Sequence, residues 1–257
     1  VSLLVESKGG VTTLTLNRPE VHNAFDETLI ADLTAAFTAA ANDPSVRAVV
    51  LRANGKSFSA GADLHWMKRM AGFSEAENLA DAKRLAELLR VIDTCPKPTI
   101  ARVHGPAFAG ATGLIACCDL AVAVTEAEFA VTEVRLGLIP AVISPYLIRA
   151  MGARQARRWF LTAERFSAEQ ALQMNLVHEV VGADELDPCV DHWLDAIRKA
   201  GPNALAAAKA LVRAVDQSPD AAIIEDTAQR IAGIRASAEG KEGVASFLEK
   251  RKPGWVQ

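Results

Sequence analysis

Apolar and polar positions alternate at residues 1–5 and again at 11–16, where β-branched residues and leucines succeed one another. A period of two predicts a strand in each stretch, and Asn17-Arg18-Pro19 ends the second. The period then changes. Leu29, Leu33, Ala36, Phe37 and Ala40 mark one face of a helix over 27–41, with Asp26 before it as N-cap. A short buried strand at 47–51 runs into an Asn54-Gly55 turn, and a polar-rich helix follows at 74–92. Pro96 and Pro98 punctuate its end, 99–103 reads as a strand, and Gly105 opens a small-residue turn. Residues 114–118 read as helix and 119–124 as extended chain. From Ala141 onward the pattern is helical: 145–151, 154–161, 168–174, 186–200, 204–216, 221–236 and 242–250. Strands separated by helices in this order predict an α/β layered core with right-handed crossovers, followed by a helical C-terminal third. No internal repeat, linker or low-complexity tract interrupts the pattern.

Composition supports burial and removes several functional classes. Half of the 257 residues are apolar, enough for a sizeable core. The 28 basic and 31 acidic residues leave a net charge of -3, which gives no broad attraction for nucleic acid or an anionic membrane. The longest apolar run, 114–124, is interrupted by Asp119 and falls short of the roughly 20 residues a membrane span needs. The chain opens without a basic segment followed by an apolar one, so a cytoplasmic location is expected. Cys117 and Cys118 are neighbours while Cys95 and Cys189 stand alone; lacking C-x-x-C spacing, all four are expected to be reduced, structural thiols.

Three familiar catalytic patterns fail. Residues 105–112 have the glycine spacing of a phosphate-binding loop, but Ala111 stands where the lysine must be. Gly55-Lys56-Ser57 supplies lysine and serine, yet Val50 replaces the first glycine. No G-x-S-x-G elbow occurs, and the five histidines are dispersed without H-E-x-x-H, so no metal is predicted.

Two small-residue turns remain: Ser59-Ala60-Gly61-Ala62-Asp63 and Ala109-Gly110-Ala111-Thr112-Gly113. Each follows a predicted strand and precedes a predicted helix, so each can present backbone N–H groups to an anion, or can simply be a tight packing turn. Glu133 stands in the mainly apolar run 129–140, where it is either a desolvated proton-transfer group or a carboxylate held by Arg135 or by a helix cap.

The following segments, taken in order, resemble the crotonase (enoyl-CoA hydratase/isomerase) family over almost the whole chain: Leu16-Asn17-Arg18-Pro19 with Asn23-Ala24; Phe58 through Asp63; Val103-His104-Gly105-Pro106-Ala107 with Cys118-Asp119; Glu133 with Gly137-Leu138-Ile139-Pro140; and 247–252. The resemblance implies a spiral core of ββα units over 1–195, a helical trimerisation region over 196–257, and a homo-trimer or hexamer. It implies an acyl-CoA thioester as substrate, with no cofactor beyond the coenzyme A the substrate carries. Matched motif to motif, the backbone donors for the thioester oxygen are Ala62 and Gly110, and Glu133 is the family's second catalytic glutamate. Val21, His22 and Ala24 then lie along coenzyme A, and Ala60, Gly61, Asp63 and Leu64 lie around its adenine and pantetheine. Phe247 and Lys250 reach a phosphate, within one chain or across a subunit boundary.

Gly113 occupies the position of the family's first glutamate, so the two-acid hydration mechanism does not carry over intact; Gly113→Glu is expected to restore it for a straight-chain substrate. Residues 117–119, 133–141, 249–251 and Trp255 resemble the branch of methylglutaconyl-CoA and isohexenylglutaconyl-CoA hydratases. The expected activity is therefore hydration of a branched or glutaconyl-type enoyl-CoA by a single glutamate. The alternatives are a double-bond isomerase and a silent acyl-CoA-binding protein. Trp66, Met67 and Met70 are expected in the core rather than the acyl pocket, Trp159 and Phe160 in packing, and His104 in a structural hydrogen bond.

Overall fold

The computed structural model describes residues 1–215 and 221–256. β1 (Leu3–Lys8) and β2 (Val11–Leu16) form an antiparallel hairpin around Gly9-Gly10, both left-handed with φ of 56° and 76°. A two-residue hairpin loop needs positive φ, which glycine adopts without a Cβ clash. The chain then climbs in successive strand–helix steps. Asp26 caps α1 (Glu27–Asn42) by accepting from Leu29 N–H, and Leu29, Leu33, Phe37 and Ala40 are buried along its inner face. β3 (Ala48–Ala53) lies parallel to β2; α2 (Leu64–Met70) and α3 (Glu75–Thr94) carry the chain to β4 (Thr99–Val103) beside β3. A reciprocal Ser74–Glu77 capping box starts α3.

After β4 each step supplies two strands. β5 (Ala107–Phe108) precedes α4 (Gly110–Cys117), and β6 (Leu120–Val124) is followed by β7 (Glu128–Ala130). α5 (Ser144–Thr162), β8 (Phe166–Ser167), α6 (Ala168–Gln173) and β9 (Glu179–Val181) complete the core. The larger sheet has the order β1-β2-β3-β4-β6-β9 and is parallel after the hairpin; the smaller has the order β5-β7-β8. An isolated bridge between Ser59 and Ala107 prolongs the smaller sheet toward the first turn. Successive steps thus add to both sheets, a spiral of ββα units. The inner strands β3 and β6 are almost wholly buried, which is why they read as apolar runs rather than alternations.

α7 (Leu186–Lys199), α8 (Pro202–Ala214), α9 (Ala221–Ala236) and α10 (Ala238–Leu248) follow. The expected division at 195/196 falls inside α7, whose buried face continues through Ile197; the helix is closed only at Ala200, its C-cap, before Pro202 opens α8. The predicted helices 145–151 and 154–161 are the two halves of α5, broken at Gly152 with φ 77° and ψ 153°. Residue 216, the expected end of the helix at 204, lies outside the described residues. Trp66 and Trp159 are core residues, Met70 and Phe160 pack against the core, and Met67 is half-buried. No helix among the described residues is long and apolar enough to cross a membrane.

Candidate active site

The two small-residue turns adjoin. Phe108 N–H donates to Ser59 O at 3.0 Å, and Phe58 and Ser59 N–H donate to Pro106 O at 2.9 and 3.2 Å. Gly61 is left-handed at φ 91°, and a Cβ there would lie 3.0 Å from Ala109 Cβ and 3.1 Å from Phe108 O, so the close approach of the turns needs a glycine. Phe25 joins both: its N–H donates to Gly61 O and its carbonyl accepts from Asp63 N–H, each at 2.7 Å, while a Cβ on Gly110 would sit 3.1 Å from its ring.

That bracket engages the groups on either side of Ala62 and leaves Ala62 N–H without an acceptor among the described residues. Gly110 is the first residue of α4, and its N–H likewise finds no acceptor among them. On the N-terminal side their neighbours are occupied, Ala60 N–H donating to His22 O, Gly61 N–H to Ser59 Oγ and Ala109 N–H to Ala130 O, whereas Ala111 N–H, also in the first turn of α4, shares the open state of Gly110. The Ala62 and Gly110 donors therefore stand open in adjoining turns.

Glu133 follows from the smaller sheet. β5 and β7 are parallel, pairing Phe108 with Ala130, so the chain leaving β7 emerges beside the turn leaving β5. Glu133 begins a short 3₁₀ turn closed by left-handed Gly137, whose N–H donates to the Glu133 and Val134 carbonyls. Its Oε2 is buried without a hydrogen-bond partner among the described residues, and it forms no ion pair with Arg135. Burial raises its carboxyl above the ordinary glutamate value, opposed only in part by the backbone N–H groups of Glu133 and Thr132. The carboxyl is thus desolvated and is not held by Arg135.

The residues assigned to coenzyme A separate into two groups. Val21, His22 and Ala24 meet the first turn through the His22–Ala60 hydrogen bond; His22, Ala60 and Leu64 are exposed, while Ala24 and Gly61 are buried. Asp63 is different. Its Oδ1 caps α2 by accepting from His65 and Trp66 N–H, and its Oδ2 pairs with Arg18 at 2.9 Å. Burial pushes its carboxyl up, but those two N–H groups and the guanidinium outweigh this and hold it below the ordinary aspartate value. Its side chain is thus engaged inside the protein. Phe247, 81% exposed, and Lys250 lie at the end of α10, and neither side chain bonds to the turns within this chain. His104 Nε2 contacts Gly55 O at 2.9 Å, the structural bond anticipated.

Two features were not foreseen. Ala109 has φ 50° and ψ -122°, a conformation favourable only for glycine, so Ala109→Gly is expected to stabilise the fold by about 1 kcal/mol, read by urea denaturation. Gly113 is buried in α4, and a Cβ there would lie 2.3 Å from Ile143 Cγ2 and 2.8 Å from Ile143 Cβ. The expectation that Gly113→Glu alone restores a second acid is therefore corrected: Ile143 fills that space. Among the described residues no group of acidic, histidine and cysteine side chains forms a metal cluster.

A two-sheet ββα spiral with a helical tail is the crotonase fold. A family model described as enoyl-CoA hydratase/isomerase matches residues 6–257. An enoyl-CoA hydratase of known structure from Shewanella pealeana superposes with a TM-score of 0.97 at 45% identity, over 99% of this chain and 96% of that one. A putative enoyl-CoA hydratase of Thermus thermophilus is 35% identical over 250 residues, 96% of this chain and 97% of the other. The crotonyl-CoA hydratase of Syntrophomonas wolfei is 31% identical over 257 residues, 99% and 98% of the two chains. The chain belongs to the enoyl-CoA hydratase/isomerase family and is an enzyme of that family.

Proposed function

We propose that this enzyme is a lyase that adds water to, or removes it from, a branched or glutaconyl-type enoyl-CoA, with Ala62 and Gly110 N–H as oxyanion hole and Glu133 as its single acid–base group. The observation that carries the reading is the buried, unpartnered Oε2 of Glu133, whose carboxyl burial raises, on the segment that leaves β7 beside two open backbone donors. In this mechanism the thioester oxygen accepts from both N–H groups, which lowers the cost of charge as the enolate forms; one such donor is worth about 2.7–4 kcal/mol. Glu133 takes a proton from water as the hydroxyl oxygen bonds to Cβ. The Cα=Cβ electron pair moves to the enolate, and the protonated Glu133 returns its proton to Cα. One carboxyl thus balances the addition and accounts for the absence of an acid at 113.

A branched acyl chain is supported by Leu136, Leu138 and Ile139, large, apolar and exposed on the segment that carries Glu133. A carboxylated chain is supported by Arg135 on the same segment, exposed and without an acidic partner among the described residues. Coenzyme A is placed along Val21, His22, Ala24, Ala60, Gly61 and Leu64. Phe247 and Lys250 reach it from another copy, and exposed Val244, Phe247 and Leu248 suit burial in a trimer or hexamer.

The test is mass-resolved analysis of products from straight, branched and glutaconyl CoA thioesters. Hydration is expected on the branched or glutaconyl substrates, seen as addition of one water. A rearranged product of unchanged mass would instead assign double-bond migration, which one carboxyl can also perform.

A further inference from the structure

Arg18 interrupts the strand pattern and has no role in the chemistry proposed above, yet it occupies a junction. Its side chain is only 19% exposed. One guanidinium nitrogen donates to Ala24 O at 2.7 Å and pairs with Asp26 Oδ2 at 2.9 Å; the other pairs with Asp63 Oδ2 at 2.9 Å. Asp26 and Asp63 are themselves the N-caps of α1 and α2. A single cation thus ties together two helix starts and the carbonyl that precedes Phe25.

The backbone is held at the same place. Arg18 N–H donates to Asn23 Oδ1, and Arg18 O accepts from Val21 and Asn23 N–H. Asn23, fully buried, donates through Nδ2 to Asn54 O and Ser57 O. His22 and Asn23 are consecutive left-handed residues, φ 52° and 54°, a costly conformation that persists only where surrounding bonds fix it.

Ala62 N–H takes its direction from the Gly61–Ala62 peptide plane, and Gly61, at φ 91°, offers little torsional resistance. The plane is fixed from outside, by Phe25 bonding Gly61 O and Asp63 N–H. Both ends of that bracket lead to Arg18: Ala24 precedes Phe25, and Asp63 follows Ala62. We propose that Arg18 is a positioning residue of the oxyanion hole, closing the loop of bonds that aims Ala62 N–H. The inference rests on the assignment of Ala62 as an oxyanion donor, not on which enoyl-CoA is used. A fork is required: Lys offers one point charge and cannot meet Ala24 O, Asp26 and Asp63 in the same geometry.

The experiment compares wild type, Arg18→Lys, Asp63→Asn and the double variant. The readouts are kcat, KM, thermal midpoint, and the near-ultraviolet absorbance of a bound 3-ketoacyl-CoA, whose enolate forms in the hole without turnover. In Asp63→Asn the amide oxygen can still cap α2, but the ion pair is lost. Arg18→Lys is expected to lower kcat about 10–100-fold with KM within about twofold, and to lower the bound enolate fraction in step. Asp63→Asn is expected to act in the same direction, and the double variant to be no worse than Arg18→Lys, because both cut one link.

Enolate fraction and kcat unchanged in Arg18→Lys would overturn the proposal. So would additive losses that track the thermal midpoint, or a wild-type protein that forms no bound enolate. If no enoyl-CoA is hydrated but the enolate signal responds as stated, the positioning role stands and only the substrate reading fails.

Discussion

Glu133→Gln is expected to reduce turnover by roughly 10²–10⁴-fold, the span a single general acid–base group supplies, while thioester binding stays within a few-fold. Amide and carboxyl are nearly isosteric, and the assigned contacts to coenzyme A lie on the turns around 21–24 and 60–64. The same substitution is expected to stabilise the fold at neutral pH. Burial raises the Glu133 carboxyl, so the folded chain keeps this proton to higher pH than the unfolded chain does. Below the ordinary glutamate value both states are protonated and nothing is lost; as pH climbs through the raised value, the ionised, desolvated group lowers stability, and the loss persists above it. Glutamine removes that loss, so the variant's advantage should vanish in acid and reach about 1 kcal/mol at neutral pH, a thermal shift of roughly 2–4 °C. Activity carries the opposite signature: wild-type kcat/KM should fall on an acid limb displaced above the ordinary carboxylate range. Near-normal turnover in the variant, or equal stability of both proteins at every pH, would remove Glu133 from the mechanism.

Local interactions made much of this legible in the sequence. Asp26 was readable as the cap of α1 because capping involves groups a few residues apart, and β4 and the helices of the C-terminal third were readable because their apolar faces repeat. The start of α4 was not: Gly110, Ala111 and Gly113 carry little periodic signal, and the helix is held at that end by packing against Phe25 and Ile143. Ala62, Gly110 and Glu133 were named from the order of motifs; that the turns of Ala62 and Gly110 adjoin, and that the chain leading to Glu133 leaves β7 beside β5, depends on the Ser59–Ala107 bridge and the β5–β7 register, contacts between distant residues that no local pattern encodes. Arg18 was visible only as part of a strand break and of the Leu16-Asn17-Arg18-Pro19 segment. Nothing near it in sequence signals that its partners are two helix caps, one of them 45 residues away.

Gly113→Glu by itself is expected to gain no activity on crotonyl-CoA and to lose about 1–3 kcal/mol of stability through overpacking. The first side-chain atom already decides this, since a Cβ at 113 falls 2.3 Å from Ile143 Cγ2. Helix propensity offsets only about 1 kcal/mol of the strain. Trimming Ile143 to Ala does not suffice either, because Ile143 Cβ itself would remain 2.8 Å away; only Ile143→Gly leaves a nearest approach, to Cα, of 3.7 Å. Ile143 is the residue before α5, a position where glycine is tolerated. The double variant Gly113→Glu/Ile143→Gly is therefore expected to recover the stability lost by the single one and to hydrate crotonyl-CoA at least about 10-fold faster than wild type, with a second ionisation in its pH–rate profile. Ile143→Gly alone should show the opposite: a cavity cost of a few kcal/mol and no new ionisation. If the double variant folds but its profile still reports a single group, position 113 does not face the reacting carbons, and the one-carboxyl mechanism owes nothing to the glycine there. If Gly113→Glu alone matches the double variant in rate, Ile143 yields readily, and the notch between α4 and α5 is not what keeps this site to a single acid.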